Sequence, residues 1–223
     1  MKLALMMSTL CIATLGVAGC SSKVVEPDQY SGFLKDYSRL TQGTSPSGVE
    51  VMRWIDPKLD VNKYTSVYIE PTQFYPQPKA TDKIPQKTLS GITHYYDQAL
   101  KRELSKSVPL ASGPGPGVIV VRAAITAVSS KTEGLKAYEV IPVALVAAAV
   151  STASGIRDQE TTLATEAVFI DGGSKAVVAQ VVRKGIGKPL ENDSQVMTAA
   201  DVKSVIDSWA TDMHQSYLKL KSR

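Results

Sequence analysis

The sequence predicts an α+β domain in which an antiparallel or mixed sheet carries two long amphipathic helices packed on one face, a two-layer arrangement. Three observations carry that expectation. Apolar residues recur at helical spacing in one stretch near the middle of the chain and in another at its C-terminal end. Runs rich in β-branched residues lie before and between them. The last two of these runs are joined by a short glycine turn, as in a hairpin rather than a crossover.

Each element follows from its own residues. YSGFLKDYSRL (30–40) sets Phe33, Leu34, Tyr37 and Leu40 at helical spacing and reads as a short helix, and the breaker-rich TQGTSPSG after it reads as a loop. VEVMRWIDP (49–57) alternates Val49, Val51, Arg53 and Ile55 with Glu50, Met52 and Trp54, and YTSVYIEP (64–71) is β-branched and aromatic; both read as strands. TQFYPQPKATDKIP (72–85) holds three prolines, each without a ladder donor, so it is expected to stay out of a sheet interior. In TLSGITHYYDQALKRELSK (88–106) the stripe Leu89, Ile92, Tyr96, Ala99, Leu100 and Leu104 predicts the first long helix. VIVVRAAITAV (118–128) is a strand whose inward face would be Ile119, Val121, Ala123, Ile125 and Ala127, with Arg122 and Thr126 pointing away. TTLATEAVFID (161–171), GGS and KAVVAQVVRKG (175–185) make the hairpin. From Thr198, an N-cap with Asp201 three residues on, Val202, Val205, Ile206, Trp209, Met213, Tyr217 and Leu220 repeat at three and four and predict the second long helix.

The first 19 residues set one lysine before an apolar run, the layout of a secretory signal peptide and too short for a spanning helix. Val17-Ala18-Gly19-Cys20 then resembles a bacterial lipobox, with valine where leucine is commoner. The expected organisation is a removed leader at 1–19, a lipid-anchored tether at 20–29 and one α+β domain at 30–223 with an apolar insertion at 137–155. Cys20 becomes the lipid attachment site, and its acyl chains anchor the protein to the membrane. Of the two cysteines, Cys11 leaves with the leader, so disulfides, a thiol nucleophile and a cysteine metal site drop out together. Ser21 and Ser22 stand where an aspartate would signal inner-membrane retention, which points to the periplasmic face of the outer membrane.

The formal net charge of +4 is too mild to argue for nucleic acid, and the expected compartment argues against it. GPGPG (113–117) is not a phosphate loop: Pro114 and Pro116 remove two donors, no lysine follows, and a strand comes next. The two histidines, His94 and His214, stand alone in sequence, so a metal or catalytic site would need them to converge with acids such as Asp97 or Asp212. Ser216 and Lys219 match SxxK by spacing only, without the companion segments that give that motif meaning. No catalytic residue, metal ligand or cofactor is assigned, and the chain is read as non-enzymatic.

The unusual stretch is AYEVIPVALVAAAVSTASG (137–155), uncharged from Ile141 to Val150. As a helix it would fall short of the roughly 30 Å hydrocarbon core. Three readings stand: a buried helix or strand covering the sheet, an exposed partner or oligomer surface, and a loop dipping into the bilayer. Ile141, Val143, Leu145, Val146 and Val150 are the candidate partner-surface residues.

QYSGFLKDYSRL near the lipid, the YTSVYIEP strand and GPGVIVVRAAITAV together resemble an uncharacterised family of bacterial lipoproteins, domain of unknown function 3313, from about Tyr30 to the final helix. The resemblance implies a lipoprotein and brings no catalytic residue. The expected role is a periplasmic binding or accessory module for an envelope partner. The alternative is a small-molecule or lipid carrier with a pocket lined by the 141–150 run.

Overall fold

The computed structural model describes residues 24–132, 159–192 and 194–222. They form mixed α and β structure built on a seven-stranded sheet and two long helices. The strands are β1 (Thr41–Thr44), β2 (Glu50–Ile55), β3 (Ser66–Ile69), β4 (Gln73–Phe74), β5 (Val118–Thr132), β6 (Gln159–Asp171) and β7 (Val177–Ile186); the helices are α1 (Gln86–Leu104) and α2 (Lys203–Lys221). Across the sheet the order is β1-β2-β7-β6-β5-β3, with β4 also paired to β5. β3 and β4 run parallel to β5 and every other pairing of these strands is antiparallel, so the sheet is mixed. A parallel pair needs a crossover, and the path from β3 to β5 supplies it through α1.

Both predicted helices form; the α1 stripe and the first part of the α2 stripe are buried, while Tyr217 and Leu220 are half-buried. Leu89, Ile92, Tyr96, Ala99, Leu100 and Leu104 of α1 are buried, as are Val205, Ile206, Trp209 and Met213 of α2. Thr198 and Asp201 make the expected reciprocal cap, with the Thr198 amide and hydroxyl both donating to Asp201 Oδ2. What they cap is a 3-10 turn, Ala199–Val202, that leads into α2. The helices touch each other through the edge of Tyr96 on Trp209 and through Asp207, which accepts from Tyr95 Oη and from Arg102 Nη2 at 2.6 Å. α2 seats on β7 at Gly185, where a Cβ would lie 2.5 Å from Val205 Cγ1 and 3.0 Å from the Trp209 ring; only glycine admits that approach. On β6, neighbouring Arg183 in the register, Thr165 bonds Tyr96 of α1, while Arg183 itself donates to the Trp209 carbonyl of α2.

Four sequence expectations are corrected. Residues 30–40 do not form a helix. Gly32 and Lys35 have positive φ, and the Tyr37 hydroxyl accepts the Gly32 and Leu34 amide protons, so the segment becomes an irregular strap. The strap crosses the sheet face that carries Glu166 and Gln180. The TQGT stretch, expected as loop, is β1, an edge strand with no apolar alternation to announce it. The proline-rich segment stays out of the sheet interior as expected but is not all loop: Gln73 and Phe74, ahead of its prolines, form β4 against Ala124 and Ile125 at the edge. Finally, Ala127 does not share the face of Ile125: a register shift between them pairs Ile125 with Thr165 but Ala127 with Ala164, and Thr126 within the shift is buried; Arg122, ahead of the bulge, is exposed and paired with Glu70.

Candidate functional site

β2 and β7 place alternate side chains on the face that α2 covers, and both carry an arginine within an apolar register. On β2 the register is Val51, Arg53, Ile55; on β7 it is Ala179, Val181, Arg183. Arg53 pairs with Val181, so Arg53 and Arg183 are diagonal neighbours on one face, about 7–8 Å apart at the backbone. Over them α2 changes role along its length. Val205 and Trp209 press on Gly185, whereas Met213, Tyr217 and Leu220 face a cavity of about 110 Å³. Val67 of β3, Ile119 and Val121 of β5 and Leu104 of α1 close its far side, so the interior is almost wholly apolar. A wider, more polar vestibule of about 590 Å³ adjoins it and shares Ser45, Arg53, Ile55, Ser216 and Leu220 as walls.

The charges at the cavity are unevenly matched. The Arg183 and Asp212 side chains are 8% and 3% exposed, with Arg183 Nη1 3.5 Å from Asp212 Oδ2 and 3.3 Å from the Trp209 carbonyl. Asp212 already accepts the Ser47 amide at 2.8 Å and the Ser47 hydroxyl at 2.9 Å. Ser47 is presented by the β1–β2 turn, which closes through Gly48 at φ +86°. Arg183 Nε is buried with no acceptor among the described residues. Desolvation lowers the Arg183 pKa from its ordinary value, and Arg53 adds to that lowering, while Tyr96 and Asp212 oppose it. Arg183 therefore has one long ion pair, to Asp212, and Arg53 has none among the described residues, beside an apolar chamber.

The sequence candidates are dispersed. His94 is exposed on α1 and bonds Gln98, whereas His214 is buried and lies 2.6 Å from the Ser107 hydroxyl, beyond the end of α1. Thirteen residues separate the two anchoring points on this stretch, which is about 20 Å at helical rise. Asp97 accepts the Thr72 amide and Asp212 serves Ser47 and Arg183, so neither acid bonds a histidine. Ser107 and His214 form a hydroxyl–imidazole pair, but among the described residues no carboxylate bonds the second ring nitrogen as a triad would require. Ser216 lines the cavity mouth and Lys219 the vestibule. Among the described residues no group of three His, Cys, Asp or Glu could hold a metal, and no helix is long and apolar enough to cross a membrane. GPGPG is a turn whose Gly117 carbonyl accepts from Thr65 and Ser66. Cys20 and the candidate partner surface Ile141, Val143, Leu145, Val146 and Val150 lie outside the described residues.

Sequence reasoning missed three charges whose signal was present, Arg183 and Glu166 buried and Arg53 half-buried. Arg53 and Arg183 interrupt apolar registers, and a cation at such a position must be paired or serve a site. Glu166 is the third. It is 1% exposed on the opposite face, where it accepts the Ser31 amide at 2.9 Å and the Tyr37 hydroxyl at 2.6 Å. Burial first, then the bond to Glu166, pushes the Tyr37 pKa up to about 12.

The family described as "Protein of unknown function (DUF3313)" matches residues 29–213. The uncharacterized lipoprotein YdcL of Escherichia coli K12 is 43% identical over 198 residues, covering 89% of each chain. Among solved structures, the PelC dodecamer of Paraburkholderia phytofirmans in space group P6 has a TM-score of 0.39 at 14% identity, covering 73% of this chain and 96% of its own. Protein XCC0632 of Xanthomonas campestris has a TM-score of 0.42 at 12% identity, over 75% and 91%. At those scores neither structure informs the site.

Proposed function

The chain belongs to the DUF3313 family, and on that premise we propose that it is a non-enzymatic binding module of the bacterial envelope, tethered by lipid on Cys20. The lipoprotein relative and the Val17–Cys20 lipobox support the anchor; Ser21 and Ser22 support the periplasmic face of the outer membrane. In this reading α1 and α2 form one layer over the sheet, and the gap left under the second half of α2 is the binding site.

The observation that carries the proposal is the apolar cavity with an under-partnered guanidinium in its wall. An empty apolar space costs packing energy, and a buried donor without an acceptor costs about 1–3 kcal/mol; a bound molecule recovers both. This moves the carrier alternative from a pocket lined by 141–150 to one lined by β2, β7 and α2. The test is to purify the full lipidated protein, extract it with organic solvent and compare the extract with that of Ser216→Trp, which narrows the cavity mouth. A molecule present in the first and missing from the second supports binding here; identical extracts contradict it. For the anchor, Cys20→Ser should shift the protein from the outer-membrane fraction to the soluble periplasm.

The apolar run 141–150 supports a further partner contact. A pull-down from envelope extracts with Val143→Asp and Leu145→Asp in one chain should lose an envelope protein that the wild type retains; equal capture removes the run as the interface.

A further inference from the structure

We infer that the cavity selects a small anionic amphiphile, with a carboxylate or phosphate head held between Arg53 and Arg183 and a short acyl tail in the chamber beyond. This rests on the reading of the cavity as a binding site and adds the chemistry of what enters it.

The charge count makes the head negative. Arg53 and Arg183 stand as diagonal neighbours on one sheet face, and both line the cavity. The carboxylate available to them, Asp212, already accepts two bonds from Ser47 and approaches Arg183 only at 3.5 Å. Arg53 makes no ion pair among the described residues, and Arg183 Nε is a buried donor with no acceptor. Two cations at that spacing repel unless an anion lies between them, and a planar guanidinium presents forked donors suited to carboxylate or phosphate oxygens. A neutral guest could accept a hydrogen bond through a hydroxyl oxygen but would leave the two positive charges uncompensated.

The volumes set the rest of the molecule. At about 110 Å³, and about 10–15 Å³ for each water-sized group, the chamber holds on the order of eight methylene-sized groups, so it takes a short tail rather than a full membrane acyl chain. Its lining by Val67, Ile119, Val121, Leu104 and Met213 offers that tail no hydrogen bond from a side chain. Arg53 belongs to the walls of both spaces, which puts the head where chamber and vestibule meet.

The test is calorimetric titration of the full-length lipidated protein in nanodiscs, with empty nanodiscs as the blank, using octanoate, octyl phosphate and octanol. Saturable binding of an anionic octyl compound is expected, with octanol roughly tenfold weaker or more, and with Arg53→Gln costing the anion, but not octanol, a similar factor. Tighter octyl phosphate than octanoate assigns the head as phosphate, and the reverse as carboxylate; either supports the inference. Octanol binding as tightly as the anions overturns the anionic head while leaving the cavity a binding site. No binding by any of the three overturns both. The comparison among ligands on the wild-type protein stands whether or not the variant folds.

Discussion

The two faces of the sheet each bury charge, and they satisfy it differently. On the strap face Glu166 receives two short hydrogen bonds, from the Ser31 amide and the Tyr37 hydroxyl, and the same Tyr37 oxygen accepts two strap amides. On the helix face Arg183 has a long contact to Asp212, one backbone carbonyl and an unused Nε, beside a cavity. A charge wrapped by its own chain holds structure together; a charge left short of partners next to open apolar space is equipped for something that arrives. The strap ties the segment nearest the expected anchor to the sheet, and the cavity lies on the face that meets α2.

The largest effect should come from breaking the helix-face pair. Asp212→Ala strands Arg183 in the interior and removes the acceptor of Ser47, and is expected to cost about 3–5 kcal/mol in urea denaturation. A loss under about 1 kcal/mol would mean that Arg183 already finds water or another acceptor. Next in size is Tyr37→Phe on the strap face, which deletes one of two donors to Glu166 and the acceptor of two amides. Its expected cost is about 1–3 kcal/mol, together with hydrogen exchange at Gly32 and Leu34 rising well before global unfolding.

How much of this could be read from the residues differs by element. The stripes of α1 and α2 are legible because each buries one face of a regular period, and the β6–β7 hairpin because a glycine turn joins two β-branched runs. The strap is not. Its helical spacing is real, but a tyrosine hydroxyl takes the amide protons that a helix would need, and that contact depends on Glu166 more than a hundred residues away. β1 is short, polar and at an edge, so it carries no pattern at all. At the site, Arg53 and Arg183 are visible as cations within apolar registers. Their proximity is not, since it depends on β2 pairing with β7 across more than a hundred residues of chain. Asp212 reads in the sequence only as an acid near a histidine; its partners come from a turn and a strand far away along the chain.

Alkaline pH sharpens the contrast with a smaller effect. The hydroxyls of Tyr37 and Tyr64 are both pushed up to about 12, from an unfolded value of 10.0, by burial and then by hydrogen bonds to Glu166 and Asp171. The folded state holds these protons more tightly, so their contribution to stability is complete below the unfolded value and is lost as pH rises through about 12. Circular dichroism of chemical denaturation between those limits should show falling stability, and Tyr37→Phe should flatten the slope. An unchanged slope in the variant would remove Tyr37 from the alkaline transition.

The smallest expected effect is at the cavity mouth. Ser216→Leu adds apolar volume facing open space and should change stability by no more than about 1 kcal/mol in either direction, while weakening octanoate binding. A large destabilisation would mean that the chamber is already filled by its own walls.

The most direct measurement is the Nε–Hε resonance of Arg183 by nitrogen-detected NMR, in the full-length protein in nanodiscs, during titration with octanoate and separately with octanol. A buried donor that gains a charged acceptor should move saturably with octanoate and, at equal concentration, far less with octanol. A resonance that ignores octanoate, or follows both compounds alike, would contradict the assignment of this cavity to an anionic guest.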